Sequence, residues 1–390
     1  MTDHTGFEKP TSELPAELVQ QIMAQLPLED RGRWARADTA LHHFATAQPR
    51  PTPAGQTQGL RHPTDLPHRT IYTQRTLEES LNGPDPLHFA PGAGPHAEPL
   101  VLNRGAACGI AVQLYGGLDG EPLAVMNDGG VNALDGAVIS RMYGGYADIR
   151  DGATVTDKHG GVCTIWKGGT VVNFHDGGGS CHGTIVNKHT PYHVNVQSGT
   201  IENLYDGQAT LYGTSWCSTV HGGTLLAMDT SAVDLVIDGF VTLNDTSRLT
   251  LVSGGDVESA STTAITEVSG GTVQLHAGAG VQNVTGGTVH AHPGSVVHTA
   301  TGGTITVEDQ AVLADAAGHA AVHARAGSTV TAGGNAEVVA DDGSTVTLQE
   351  NARVHAYGRA TVTAHGGTVH LHGTEVNLTA AYGAVIHQED

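Results

Sequence analysis

Aromatic residues make up only 4% of this 390-residue chain, and charged residues only 15%. A chain so short of Phe, Tyr and Trp must bury Val, Leu, Ile and Ala in thin layers rather than build a broad core. Lysine is absent after Lys188, and from residue 251 onward three arginines (Arg325, Arg353, Arg359) stand against thirteen acids. A grip on DNA or RNA needs clustered cations that displace counterions from phosphates. Nucleic-acid binding is therefore not expected there, and the acids are too dilute to favour imitation of nucleic acid. Four cysteines (Cys108, Cys163, Cys181, Cys217), none in a CxxC pair, suggest neither a disulfide framework nor a zinc ribbon. Apolar runs of about 18 residues are missing, so no membrane span is expected. Met1 to Pro10 is polar and carries no stretch that could serve as a signal peptide. A soluble, reduced, cytoplasmic protein is expected, with non-classical secretion left open.

Glycine, by contrast, is abundant, with 53 residues, and the net charge is −21. Glycines recur every 16 residues at Gly207, Gly223, Gly239, Gly255, Gly271, Gly287 and Gly303, with Gly129, Gly145, Gly161 and Gly177 in an earlier phase. Such positions suit tight corners with positive φ. Aliphatic residues repeat with them. One column is Leu225, Val241, Val257, Val273, Val289 and Ile305; another, half a period away, is Val233, Leu249, Ile265, Val281, Val297 and Leu313. Alternation within a segment predicts strands, and a fixed recurrence predicts that the strands stack. The expected fold is mostly β: a single-stack parallel β-solenoid of 16-residue coils, two strands per coil, with a small α-helical N-terminal module. Roughly sixteen coils over residues 125–390 would give a rod about 75–80 Å long at the spacing of paired strands.

The N-terminal residues differ from the repeat. Thr11 and Ser12 are N-cap candidates, Pro15 suits a first helical turn, and Leu14, Leu18, Ile22 and Leu26 form one apolar stripe. Pro27 breaks the run, and a second helix carries Trp34, Ala37, Leu41 and Phe44. Leu14-Pro15, Glu17-Leu18, Ile22, Leu26-Pro27, Asp30, Trp34, Leu41 and Phe44 together resemble the F-box. That resemblance implies that residues 1–46 form a module binding a protein partner, a ubiquitin-ligase adaptor, through Leu14, Pro15, Leu18, Ile22, Leu26 and Trp34. A helical hairpin that caps the solenoid or mediates self-association is the plainer alternative. Residues 47–68, rich in Pro, Gln, Thr and Gly, read as a linker. Residues 69–124 read as an N-terminal cap or first irregular coils, with a short helix at Thr76–Leu81 and strands at Pro99–Leu102 and Ile110–Leu114.

The Gly-Gly-Thr-Val units at Gly270, Gly286 and Gly366 resemble repeats of autotransporter adhesins, whose period is longer, and the architecture is similar to that of bactofilins. Those families self-associate or form cytoskeletal structures, and a parallel stack leaves sheet edges at both ends; the alternative expectation is therefore a self-assembling structural rod, with homo-oligomers through the solenoid ends. Three further surface features invite chemistry. Among 24 histidines, His276, His290 and His292 are the candidate metal ligands, beside the pairs His159/His175 and His370/His372. Thr329–Thr331, Thr345–Thr347 and Thr361–Thr363 stack a small threonine array resembling the ice-binding faces of antifreeze solenoids; Thr also favours strands generally. Asp229, Asp234, Asp238, Asp341 and Asp342 are the carboxylates nearest to the arrangement used by carbohydrate-active β-helices, and they have no evident basic partner. Corner positions explain Asp-Gly pairs more simply. Tyr146, Trp166, Tyr192, Tyr205 and Trp216, with Lys158, Lys167 and Lys188 among them, form the candidate recognition surface; wider coils needing larger core residues would explain them equally. The reading is a non-enzymatic scaffold with no cofactor and no catalytic residues, in which the helical module binds a partner and the acidic solenoid is a spacer or recognition surface.

Overall fold

The structure is a computed structural model that describes residues 69–94, 97–116, 122–381 and 383–389. The chain divides into two units, Met1–Leu66 and Pro67–Asp390. The expected helical module at residues 1–46, with its six candidate contact residues, and the whole of the expected linker at residues 47–68 lie outside the described residues.

Residues 69–389 form a parallel β-solenoid of 16-residue coils with two strands per coil. A first sheet has 20 strands, from Arg69–Ile71 to Val385–Glu389, and every pairing in it is parallel, each strand bonding to one from the next coil. The second sheet runs likewise from Val101–Leu102 to Asn377–Ala380. Twenty strands at about 4.8 Å make a stack about 90 Å long. It exceeds the expected length because residues 69–124 are coils too: His88–Pro91 and Val112–Tyr115 pair into the first sheet. The helix Gln74–Leu81, capped by the Thr73 hydroxyl, interrupts the first coil and buries Leu77 and Leu81.

The aliphatic columns are the core. Val257 lies over Val241 and under Val273, which lies under Val289; all four are buried. In the first sheet the strands alternate as expected, with Val273 and Leu275 inward in Thr272–Leu275. The second sheet departs from strict alternation. In Gly280–Val284, Val281 and Val284 point inward and the two residues between them are exposed, so the backbone bends outward within the strand. This bend persists to Val312–Ala316. The register then shifts between Leu313 and Ala316, and the next strand, Thr329–Ala332, alternates strictly. The 16-residue recurrence is also not constant. The register pairs Thr170 with Thr184, a coil of 14 residues, which accounts for the two phases of the corner glycines.

Those glycines are sterically required. Gly303 has φ +79, and a Cβ on it would lie 2.8 Å from the Gly287 carbonyl oxygen one coil away. The opposite corner tolerates other residues: Asp229, Asp245 and Ser261 hold positive φ there. Asp229 Oδ2 accepts the Gly213 N–H at 2.8 Å, Asp245 Oδ2 accepts the Asp229 N–H at 3.1 Å, and the Thr246 hydroxyl donates to the Asp229 carbonyl. These carboxylates therefore tie coils together at a corner.

Candidate functional site

Each coil leaves the second sheet through one corner residue, whose N–H donates to a carbonyl of the coil before it. Six of these residues in a row are ring-bearing: Tyr143, His159, His175, His189, Tyr205 and His221. Their backbone bonds to the preceding coil are 2.7–2.9 Å long. The backbone spacing thus sets the ring spacing, and successive centroids lie 4.6–5.3 Å apart with planes within 14°. The result is a continuous ladder, whereas the histidines read along the sequence gave only isolated pairs. The 14-residue coil keeps His189 over His175 and hides the ladder from a constant period. Tyr143 and Tyr205 remain 48% and 40% exposed, so the ladder presents ring edges to solvent. Burial, then the neighbouring His175, lowers the His189 pKa below the ordinary imidazole value.

An amide ladder runs beside it on the second sheet. Asn173 donates to Asp157 at 2.8 Å, Asn187 to Asn173 at 3.0 Å and Asn203 to Asn187 at 3.2 Å. The ladders touch where a His221 ring nitrogen lies 3.3 Å from Asn203 Oδ1.

Beneath these ladders the structure corrects the placement of two cations. Lys158 and Lys188 are not on a recognition surface; both are fully buried in the core column that also holds Phe174. Lys158 Nζ donates to the carbonyls of Gly161 and Asp176 at 3.0 and 2.6 Å and sits 4.2 Å from the Phe174 ring centroid. Lys188 Nζ donates to the carbonyls of Thr190 and Asp206 at 2.8 and 3.0 Å. Desolvation lowers both pKa values, that of Lys188 to about 8. Cys163, Cys181 and Cys217 are unpaired and buried, and desolvation pushes them up to about 11, 12 and 12 respectively.

The five aromatic candidates occupy different parts of the coil. On the first sheet, Tyr146 donates to Asp148 at 2.6 Å, Trp166 donates to the same carboxylate oxygen at 3.2 Å, and Arg150 lies over the Trp166 ring. Burial first, and Asp148 second, raise the Tyr146 hydroxyl pKa. Tyr205 belongs to the corner ladder, and Tyr192 lies exposed in the same corner. Trp216 opens a strand of the second sheet between Thr200 and Ala232. Tyr146 and Trp166 are thus brought together through Asp148, whereas Tyr205 and Tyr192 only share a corner region and Trp216 begins a strand of the second sheet.

His276 and His292 stack at 4.9 Å, and His290 occupies the adjacent column, over Gln274. Carboxylates accompany them: Glu258 lies 3.2 Å from His276, and Glu308 lies 2.8 Å from His292 Nδ1. The other nitrogen of His292 meets Gln274 at 2.9 Å, so both its ring nitrogens are engaged within the fold. Among the described residues no group of three or more His, Cys, Asp or Glu side chains is arranged to hold a metal ion. Asp342, expected to lack a basic partner, pairs with Arg359 at 3.1 Å, because Arg359 lies in the neighbouring coil. The threonine columns stack in register over three coils, Thr329 to Thr345 to Thr361 and Thr331 to Thr347 to Thr363. Among the described residues no helix is long and apolar enough to cross a membrane.

Comparison of the chain with protein-family models, with curated proteins and with solved structures finds no match.

Proposed function

We propose that this chain is a non-enzymatic scaffold: an F-box-like helical module binds a protein partner, and an acidic β-solenoid serves as a rigid spacer or recognition surface. The observation that carries this reading is the unbroken parallel pairing from Arg69–Ile71 to Val385–Glu389. Every coil is bonded to the next, so bending the rod means breaking a ladder of hydrogen bonds rather than turning a hinge. Rows of ring edges and amides along such a rod suit recognition of an extended partner better than enclosure of a small substrate. Gel filtration of the full chain mixed with a ubiquitin-ligase adaptor of the F-box-binding class tests it. Co-elution that is lost in a Leu18→Asp/Ile22→Asp variant supports the reading; no complex with the unaltered chain removes the adaptor role.

A second reading, self-assembly, is favoured by the last described coil. Its strand Val385–Glu389 pairs only with Thr368–His372 among the described residues, and Val385 and Ile386 are 51% and 44% exposed. A strand edge open among the described residues, with apolar side chains beside it, is a template for another strand. Light scattering separates the two: a fall in particle size for Val385→Lys/Ile386→Lys supports assembly through this coil, and an unchanged size counts against it.

A further inference from the structure

The last coils gather a second set of imidazoles that the scaffold reading leaves unused. His355 lies under His370, which lies under His387, in one outward column of the first sheet. His372 stands in the next outward column, above Tyr357 and below Glu389. His355 Nδ1 and His372 Nε2 face each other at 3.2 Å. The far nitrogen of each ring points toward a carboxylate: His355 Nε2 is 3.9 Å from Glu337, and His372 Nδ1 is 3.6 Å from Glu389. Glu389 also accepts from His370 Nδ1 at 2.6 Å.

This arrangement has a consequence for the facing nitrogens. A carboxylate favours the tautomer whose N–H points at it. If both rings adopt that tautomer, two lone pairs confront each other across 3.2 Å, which is stable only with a cation between them. A proton can serve, and so can a metal ion. Two imidazole nitrogens on a tetrahedral zinc, at about 2.0–2.1 Å each, stand about 3.3–3.4 Å apart. A carboxylate behind each ligating imidazole is the usual supporting partner of such ligands and strengthens the ring as a donor. His276 and His292 lack this geometry, because their nitrogens are turned to Glu258, Glu308 and Gln274 rather than to each other.

We propose that His355 Nδ1 and His372 Nε2 form a two-nitrogen site for a zinc-class divalent ion, with Glu337 and Glu389 orienting the rings and water completing the coordination. Both rings are part-exposed, with side-chain exposures of 28% and 24%, which leaves room for that water. The ion bridges two successive coils and so clamps the end of the stack.

Calorimetric titration of the full chain with Zn2+, repeated with Co2+ for its visible spectrum, tests the site. The expected result is one site of highest affinity per chain and a tetrahedral Co2+ spectrum. His355→Gln and His372→Gln each weaken that site at least tenfold, Glu389→Gln weakens it by about tenfold, as loss of a supporting carboxylate does, and His276→Gln leaves it unchanged. Circular dichroism establishes that each variant keeps its strands; should one histidine variant lose them, the other and Glu389→Gln decide. Unaltered Zn2+ affinity in a folded His355→Gln or His372→Gln protein overturns the proposal, as does an equal loss in His276→Gln.

Discussion

Replacing Lys188 by Met should flatten the pH dependence of stability in the middle of the rod. The ammonium is fully buried against two carbonyls, and desolvation brings its pKa from 10.5 to about 8. Between those values the unfolded chain holds a proton that the folded chain has released, so stability rises with pH across the window. At about 1.4 kcal/mol per pH unit, the rise attributable to Lys188 is on the order of 3 kcal/mol; below pH 8 both states are protonated and the slope vanishes. The buried thiols act in the opposite sense. Cys163, Cys181 and Cys217 keep their protons to about 11, 12 and 12 when folded and lose them from 9.0 when unfolded, so they remove stability as pH climbs above 9. The difference between unaltered protein and Lys188→Met cancels the thiols and isolates the lysine. Urea unfolding followed by Trp166 and Trp216 fluorescence, in a Trp34→Phe background, reads the coils on either side. The difference should grow in favour of the unaltered protein between about pH 8 and 10.5. A difference that stays level through that window would refute the account of Lys188 as a desolvated cation.

Other consequences follow from particular contacts. Leu275→Ala empties a fully buried position in the first-sheet core and should cost about 2–5 kcal/mol, measured by urea unfolding. Gly303→Ala should lower the thermal midpoint more than Gly280→Ala. Gly303 carries positive φ and a crowded Cβ position, whereas a Cβ on Gly280 meets only Val296 O, at 3.6 Å; equal effects would count against the corner argument. Glu308 has its pKa lowered by its bond to His292, with Arg325 adding to it. Its contribution is present above the ordinary carboxylate value and lost as pH falls through the folded one, so Glu308→Gln should weaken the acid limb of a melting-temperature profile.

Much of the solenoid was legible because inward aliphatics such as Val257, Val273 and Val289 recur without interruption. The features that stayed hidden lie where the period slips. Extending the inward column Leu204 backwards by 16 lands on Lys188, but the next step is 14 residues, to Phe174, so the buried lysines read as surface cations. The same slip disguised the ring ladder. Likewise Arg353 pairs with Thr368, a step of 15, which obscures the meeting of His355 and His372. Carboxylate partners such as Arg359 for Asp342 were missed because pairs across coils are far apart in sequence. The F-box resemblance concerns residues outside those described, and it rests on their apolar pattern.

Distances between paired nitroxide labels on one outward column test the stacking of coils most directly. Thr242, Glu258, Gln274, His290, Thr306, His323 and Val339 succeed one another in register. With one label fixed at Thr242, the separation should grow by about 4.8 Å for each coil, reaching about 29 Å at Val339. Separations that fail to increase evenly with coil number, or that fall in another order, would contradict the parallel stack on which the scaffold reading depends.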